Sequence, residues 1–295
     1  MFASADPTPC AETNPASARA RPSRRAEQRA ESADRRQMAR DLRSAAAQGG
    51  FLLNFQPRFR LDGLRLAGAE ALIRWPHRRR GLVSPATFIP VAEETGVINA
   101  IGGWVLREAC RTAAAGQDTV ISVNVSPRQL RDGVLLAQVG AALQESGLDP
   151  WRLELELTES MLLDITPDML MALAVLRDNG VGLALDDFGT GFASLAMLRR
   201  LPLTTLKLDR SLVRNLPDDR EDAAIVAAAI ATGHALGLSV VAEGIETPAQ
   251  RHHLVAAGCD EGQGFLFSRP VPGAEWAELQ AGSARQPGGD TALAA

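Results

Sequence analysis

Seven apolar runs in this chain carry residues that a buried strand should not contain. Glu70 lies in AGAEALIRW, Asn124 in ISVNVS, and Glu156 and Glu159 in LELELTES. Asp186 and Asp187 close LALDD, Lys207 lies in TLKLD, Glu243 and Glu246 lie in VVAEGIET, and Gln263 lies in EGQGF. Taken singly, each has an ordinary explanation. An Asp at a strand end caps the next helix, an Asn forms a turn, and a strand Glu such as Glu154 is solvated or paired with Arg. The set needs more. So many like charges in one low-dielectric mouth repel one another, and each costs several kcal/mol if left unpaired. Divalent cations are the simplest compensation, and carboxylate and amide oxygens select Mg2+ or Mn2+ over zinc. The adjacent pair Asp186-Asp187 suggests two ions with one carboxylate shared, an arrangement suited to in-line displacement at phosphorus.

One amine accompanies these carboxylates. Of 31 basic residues, 30 are Arg and only Lys207 is Lys. Either the composition reflects codon bias with one survivor, or position 207 needs a compact ammonium that guanidinium cannot replace. Beside two metals, such a group would position water and neutralise charge building on phosphoryl oxygens. Phe188-Gly189-Thr190-Gly191-Phe192 follows Asp187 directly and reads as a mobile glycine-rich loop.

These residues need a scaffold that gathers strand ends. The strand candidates are 51–57, 66–75, 119–126, 152–159, 181–187, 204–209, 238–244 and 259–267. Helical segments fall between them, among them Ile101–Ala115, Met169–Asn179, Asp222–Leu236 and Pro248–Ala257. This alternation predicts a mostly parallel sheet with helices outside. Eight strands in about 230 residues fit a closed barrel, whose active-site face is the C-terminal end of the strands. No GxGxxG and no GxxxxGK[ST] is present, so nucleotide binding of those two kinds is not supported.

Composition narrows the classes further. The 295 residues are 46% hydrophobic and 22% charged, enough to bury a core. No apolar run approaches the roughly 20 residues of a membrane span. The opening MFASADPTPC has no leader-like apolar stretch, so a cytoplasmic location is expected. Residues 1–50 carry nine Arg against six acidic residues, a net +3, which leaves −7 of the total −4 on the remainder. A body that acidic is a poor DNA binder. Cys10, Cys110 and Cys259 are too scattered for a disulfide framework or a zinc site. His77, His234, His252 and His253 lie outside the strand candidates and read as helix or loop surface residues. Residues 1–25 read as a disordered tail and 282–295 as a flexible end. The single domain between them, 26–281, opens with a helix whose Met38, Leu42 and Ala45 share a face and which stops at Gly49-Gly50.

The run Glu70-Ala71-Leu72 followed by Ile73-Arg74-Trp75 resembles the signature of EAL-domain cyclic di-GMP phosphodiesterases. The resemblance extends in order through Gln56-Pro57, Ser84-Pro85, Phe88-Ile89-Pro90, Glu93-Glu94-Thr95-Gly96 and Trp104-Val105-Leu106. It continues through Asn124-Val125-Ser126, Glu156-Leu157-Thr158-Glu159, Asp186-Asp187-Phe188-Gly189-Thr190-Gly191, Lys207-Leu208-Asp209-Arg210, Ala242-Glu243-Gly244-Ile245-Glu246-Thr247 and Gln263-Gly264. It covers about residues 38 to 276. Ala193 departs from a usual Ser, and Arg58 from a usual aliphatic residue.

The resemblance implies a TIM-like (β/α)8 barrel with an antiparallel first strand. It implies hydrolysis of one phosphodiester bond of cyclic di-GMP to linear 5'-pGpG with two Mg2+ or Mn2+ ions; Ca2+, whose oxygen distances are longer, is expected to bind yet inhibit. Glu70, Asn124, Glu156 and Asp186 match ligands of one metal. Asp186 and Asp187 match ligands of the second, with Glu243 beside it. Lys207 and Gln263 match water-positioning groups. Gln56, Leu72 and Arg74 match substrate contacts, to which Glu246 is added. Glu159 matches the residue that anchors the glycine-rich loop, with the Thr190 hydroxyl or backbone N–H groups as donors. A homodimer formed near that loop is implied as well. The rival reading is a catalytically silent cyclic di-GMP receptor or a protein-interaction module. Such members would be expected to lose metal ligands or the Lys first, and here all are present. Arg78-Arg79-Arg80 reads as a solvated charge run or an attractor of an anionic substrate.

Overall fold

The computed structural model describes residues 24–191 and 195–283. Ten strands form one sheet: β1 Leu52–Arg60, β2 Leu66–His77, β3 Gly81–Val83, β4 Val120–Asn124, β5 Leu153–Thr158, β6 Gly182–Phe188, β7 Thr205–Leu208, β8 Ser239–Ala242, β9 Glu261–Gly262 and β10 Val271–Pro272. The order β1-β9-β8-β7-β6-β5-β4-β2 closes through a β1–β2 pairing into an eight-stranded barrel, with β3 and β10 attached at its margins. Each of the eight strand candidates overlaps a barrel strand, and the four helical segments appear within three residues of their expected ends.

β1 runs antiparallel to both β2 and β9, while the other barrel neighbours are parallel. The connection explains why. Only Leu61–Arg65 separates β1 from β2, and a parallel partner needs a crossover of about a dozen residues or more.

Three expectations change. The run 259–267 is not one strand: ladder pairing ends near Gln263, and the chain turns, with the Phe267 and Ser268 N–H groups donating to the Gly264 carbonyl. Glu243 and Glu246 lie past the end of β8 rather than in it. His77 is not a surface residue outside the sheet. It closes β2 with its side chain 12% exposed, packs edge-on against Trp75 and meets Asp41 at 3.3 Å. Its ring covers the apolar Trp75, which a solvated His would leave bare. His234, His252 and His253 do lie on helices.

The first helix, Arg24–Gln48, buries Met38 and Leu42 and packs Ala45 on the core. Gly50 N–H donates to the Ala45 carbonyl, and a Cβ at Gly50 would meet the Ala45 Cβ at 2.9 Å, so the helix stops where a side chain cannot follow. Phe51, Trp75 and Phe88 pack at centroid distances of 5.5–6.0 Å, fixing the far end of β2 against the helix Pro85–Thr95. Apart from their innermost residues, the expected tails lie outside the described residues, as do Phe192 and Ala193. Among the described residues no helix is long and apolar enough to cross a membrane. Cys110 and Cys259 are free and buried.

Candidate active site in the barrel mouth

Alternation along a strand sends every second side chain into the barrel. Register then sets the layers. Gln56 pairs with Glu70 across β1 and β2, and Asn124 with Glu156 across β4 and β5. Asp186 on β6 and Lys207 on β7 join the same layer, and Glu243 and Gln263 enter one residue past β8 and β9.

Lys207 stands at the centre, 0% exposed. Its Nζ lies 2.6 Å from Glu243 Oε1, 2.8 Å from Glu156 Oε1, 3.2 Å from Asp186 Oδ1 and 3.8 Å from Glu70 Oε2. Amides close the ring: Asn124 Nδ2 donates to Glu70 Oε1 at 2.7 Å, and Gln263 Nε2 donates to Glu70 Oε2 at 2.9 Å and to Glu243 Oε1 at 3.2 Å. Arg74 and Leu72 stand half-buried beyond Glu70 on β2, and Gln56 stands half-buried beside Glu70. Glu246 is exposed and is not brought into the cluster.

Asp187 reaches the site by a local irregularity. The β6–β7 register shifts between Leu185 and Phe188, and Asp187 adopts φ 58°, a left-handed conformation costly for a residue with a Cβ. Its carboxyl is half-exposed, and burial followed by the charges of Asp186 and Asp209 pushes its pKa up. Glu159 lies apart from the carboxylate ring. Its Oε2 accepts from the Gly189 N–H at 3.3 Å and the Gly191 N–H at 3.0 Å. Of the two expected kinds of donor, the backbone supplies these bonds, since the Thr190 hydroxyl donates to the Asp187 carbonyl at 2.9 Å.

The charges are strongly coupled. Burial works against the Lys207 ammonium, yet Glu156, Glu243, Glu70 and Asp186 together hold its pKa well above the ordinary value. Burial and the Glu70 charge push Glu156 well up, and burial pushes Glu243 up to about 8. Burial also raises Glu70, but Lys207, Gln263 and Asn124 outweigh it and leave Glu70 low. As they stand, these oxygens turn on the ammonium, and among the described residues no three His, Cys, Asp or Glu side chains form a ready cation-binding group. The donor chemistry nonetheless fits hard divalent cations. Glu156 Oε2 is buried without a hydrogen-bond partner, and Glu156 Oε1 and Asp186 Oδ1 are buried against the Lys207 ammonium. Ionised, the four carboxylates around Lys207 would set −4 against +1, a surplus that one lysine cannot balance.

A second polar layer lies beneath, and sequence reasoning missed it. Arg58 Nη1 meets Glu154 Oε1 at 2.6 Å and Arg58 Nε meets Glu261 Oε2 at 2.8 Å. Glu154 is therefore buried and paired, not solvated, and Arg58 faces the lumen. The available signal was period two: Arg58, Glu154 and Glu261 lie two residues from Gln56, Glu156 and Gln263.

The EAL domain family model matches residues 39–270. The chain is 43% identical over 241 residues to the bifunctional diguanylate cyclase/cyclic di-GMP phosphodiesterase MucR of Pseudomonas aeruginosa, covering 80% of this chain and 35% of MucR. It is 42% identical over 241 residues to the cyclic di-GMP phosphodiesterase NbdA of the same organism, covering 80% of this chain and 31% of NbdA. The chain thus spans about a third of the length of the curated relatives it matches. The structure of the MucR phosphodiesterase in complex with c-di-GMP superposes with a TM-score of 0.77 at 43% identity, covering 81% of this chain and 99% of that one. The EAL domain of Mycobacterium smegmatis DcpA does so with a TM-score of 0.68 at 35% identity, covering 80% and 98%. The family match takes in every residue of the carboxylate ring and the barrel that carries it, and the chain belongs to the EAL domain family.

Proposed function

We propose that this chain hydrolyses one phosphodiester bond of the bacterial second messenger cyclic di-GMP to linear 5'-pGpG, in the cytoplasm. The observation that carries the reading is the ring of Glu70, Glu156, Asp186 and Glu243 around Lys207. It sits in a barrel superposable on a relative's phosphodiesterase that holds c-di-GMP. Glu70, Asn124, Glu156 and Asp186 would hold one Mg2+ or Mn2+ ion, and Asp186 and Asp187, with Glu243 beside them, a second. Such ions activate water and stabilise the attacking and leaving oxygens of an in-line displacement.

The chain's own residues supply the rest. Lys207 places a fixed positive charge where negative charge develops on the phosphoryl oxygens, in a site already dry. Gln263, which shares the Glu70 and Glu243 carboxylates with Lys207, helps to orient the attacking water. Gln56, Leu72 and Arg74, half-buried beside Glu70, hold the dinucleotide, with Arg74 suited to a phosphate and the exposed Glu246 as a further contact. Glu159 fixes the Gly189–Gly191 turn, and with it Asp187. A homodimer formed near that loop belongs to this reading. The test is incubation with cyclic di-GMP and Mn2+, with pGpG followed by chromatography. Binding without pGpG would instead support a silent receptor.

A further inference from the structure

The lumen of an ordinary barrel of this kind is filled by layers of Val, Ile and Leu. The layer beneath the carboxylate ring is instead charged. Arg58 is 5% exposed and Glu154 4% exposed. From β1, Arg58 crosses the lumen to Glu154 on β5 and also meets Glu261 on β9. Glu154 is saturated from other strands: Ser122 on β4 donates to its Oε1 at 2.8 Å, and Thr205 on β7 donates to its Oε2 at 2.5 Å. Each member lies two residues, one full strand repeat, from a site residue. Ser122 precedes Asn124, Glu154 precedes Glu156, Thr205 precedes Lys207, Glu261 precedes Gln263, and Arg58 follows Gln56. A buried ion pair is a weak source of stability, since apolar residues of similar volume commonly do as well or better. What the Arg58–Glu154 arm supplies is a fixed separation between β1 and β5, which do not pair with one another, while the Glu261 arm ties the same guanidinium to the neighbouring β9.

We propose that Arg58 is a positioning residue. By bridging Glu154 and Glu261 through the lumen it sets where Glu156 and Gln263 stand relative to Lys207. This rests on the catalytic reading above. Metal-site side chains held by such supporting contacts typically lose about 10–100-fold in affinity or activity when the support is removed.

The experiment compares wild type with Arg58→Lys, Arg58→Met and the charge-neutral double variant Arg58→Met/Glu154→Gln. The double variant leaves no unpaired Glu154 charge if the single Met variant fails to fold. Mn2+ affinity is measured by calorimetry without substrate, and kcat and KM for cyclic di-GMP are measured separately. The expected result, in every variant that folds, is Mn2+ affinity and kcat each lowered by ~10-fold or more with KM within ~3-fold, Arg58→Lys being the mildest. A purely structural role would lower melting temperature and leave affinity and kcat per folded molecule unchanged. Folded variants with both values within twofold of wild type overturn the proposal. Wild-type protein that neither binds Mn2+ nor forms pGpG overturns the catalytic reading instead.

Discussion

Glu243 Oε1 stands 2.6 Å from the Lys207 ammonium, the shortest of four carboxylate contacts to that one nitrogen. The two residues reach each other from neighbouring parallel strands, Lys207 inside β7 and Glu243 one residue beyond β8. A side chain longer by one branched, planar group has no room there without displacing Glu156 or Asp186.

Lys207→Arg is therefore predicted to lower kcat by ~100-fold or more while keeping KM within a few fold, in line with losing one preorganised electrostatic group. Charge is conserved, but the compact ammonium is replaced by a fork that cannot meet four carboxylates at once. Steady-state kinetics decide the point. Wild-type turnover in Lys207→Arg would reduce the single lysine of this chain to an accident of composition.

Asp186 contributes to the cluster twice, through its contact to Lys207 at 3.2 Å and as the neighbour of Asp187 on the irregular strand end. Asp186→Ala and Glu70→Ala are expected to abolish pGpG formation. More than a tenth of wild-type activity in Asp186→Ala would remove it from the shared-ligand role. Chelator treatment should stop turnover and Mn2+ restore it. Ca2+ should bind yet inhibit, because its oxygen distances of about 2.3–2.6 Å exceed the roughly 2.0–2.1 Å of Mg2+.

Much of this arrangement was legible along the chain because polar residues interrupting apolar strands are costly and so carry information. Glu70, Asn124, Glu156, Asp186, Lys207, Glu243 and Gln263 are placed at one mouth by strand direction alone. Cross-lumen partners are harder to read. Arg58 and Glu154 are 96 residues apart and meet only because the barrel closes. Period two indicates a shared face within a strand but says nothing of what lies opposite. The antiparallel sense of β1 is invisible to hydrophobic periodicity for the same reason: inward and outward alternation is identical for either direction. The splitting of 259–267 depended on long-range bonds of Gln263 and Ile245, with Ile245 N–H donating to the Gln263 carbonyl at 3.1 Å.

The Arg58–Glu154 pair has a pH signature. Burial raises the Glu154 pKa, but Arg58, Thr205 and Ser122 together bring it down to about 2. The ordinary glutamate value of about 4.3 describes the unfolded chain. A folded pKa below the unfolded one gives stability that is present above about pH 4.3 and lost as pH falls toward 2. The loss is on the order of 3 kcal/mol. Melting curves of wild type and Glu154→Gln should therefore differ at pH 6, with wild type the more stable, and draw together towards pH 2. Curves that stay parallel across that interval would separate Glu154 from the acid response.

Glu159 provides the last test, because its carboxylate holds the backbone of the turn that follows Asp187. Its Oε2 accepts from Gly189 and Gly191, and a Cβ at Gly191 would lie 2.9 Å from the Glu159 Cδ, so the turn is pressed directly onto the carboxyl group. The same turn returns to Asp187 through the Thr190 hydroxyl and N–H, both bonded to the Asp187 carbonyl. Loosening Glu159 should therefore release Asp187 from its left-handed conformation, which is costly for a residue with a Cβ. Glu159→Gln keeps an acceptor oxygen of the same reach and is predicted to retain more activity than Glu159→Ala. Glu159→Ala should weaken Mn2+ affinity and lower kcat together, by ~10-fold or more, as expected for lost support of a ligand rather than loss of the ligand itself. If the loop also forms part of a dimer contact, sedimentation of Glu159→Ala should show a shift towards monomer. Equal and complete inactivation by Gln and Ala, with Mn2+ stoichiometry reduced by one and self-association unchanged, would make Glu159 a direct metal ligand and defeat the anchoring role.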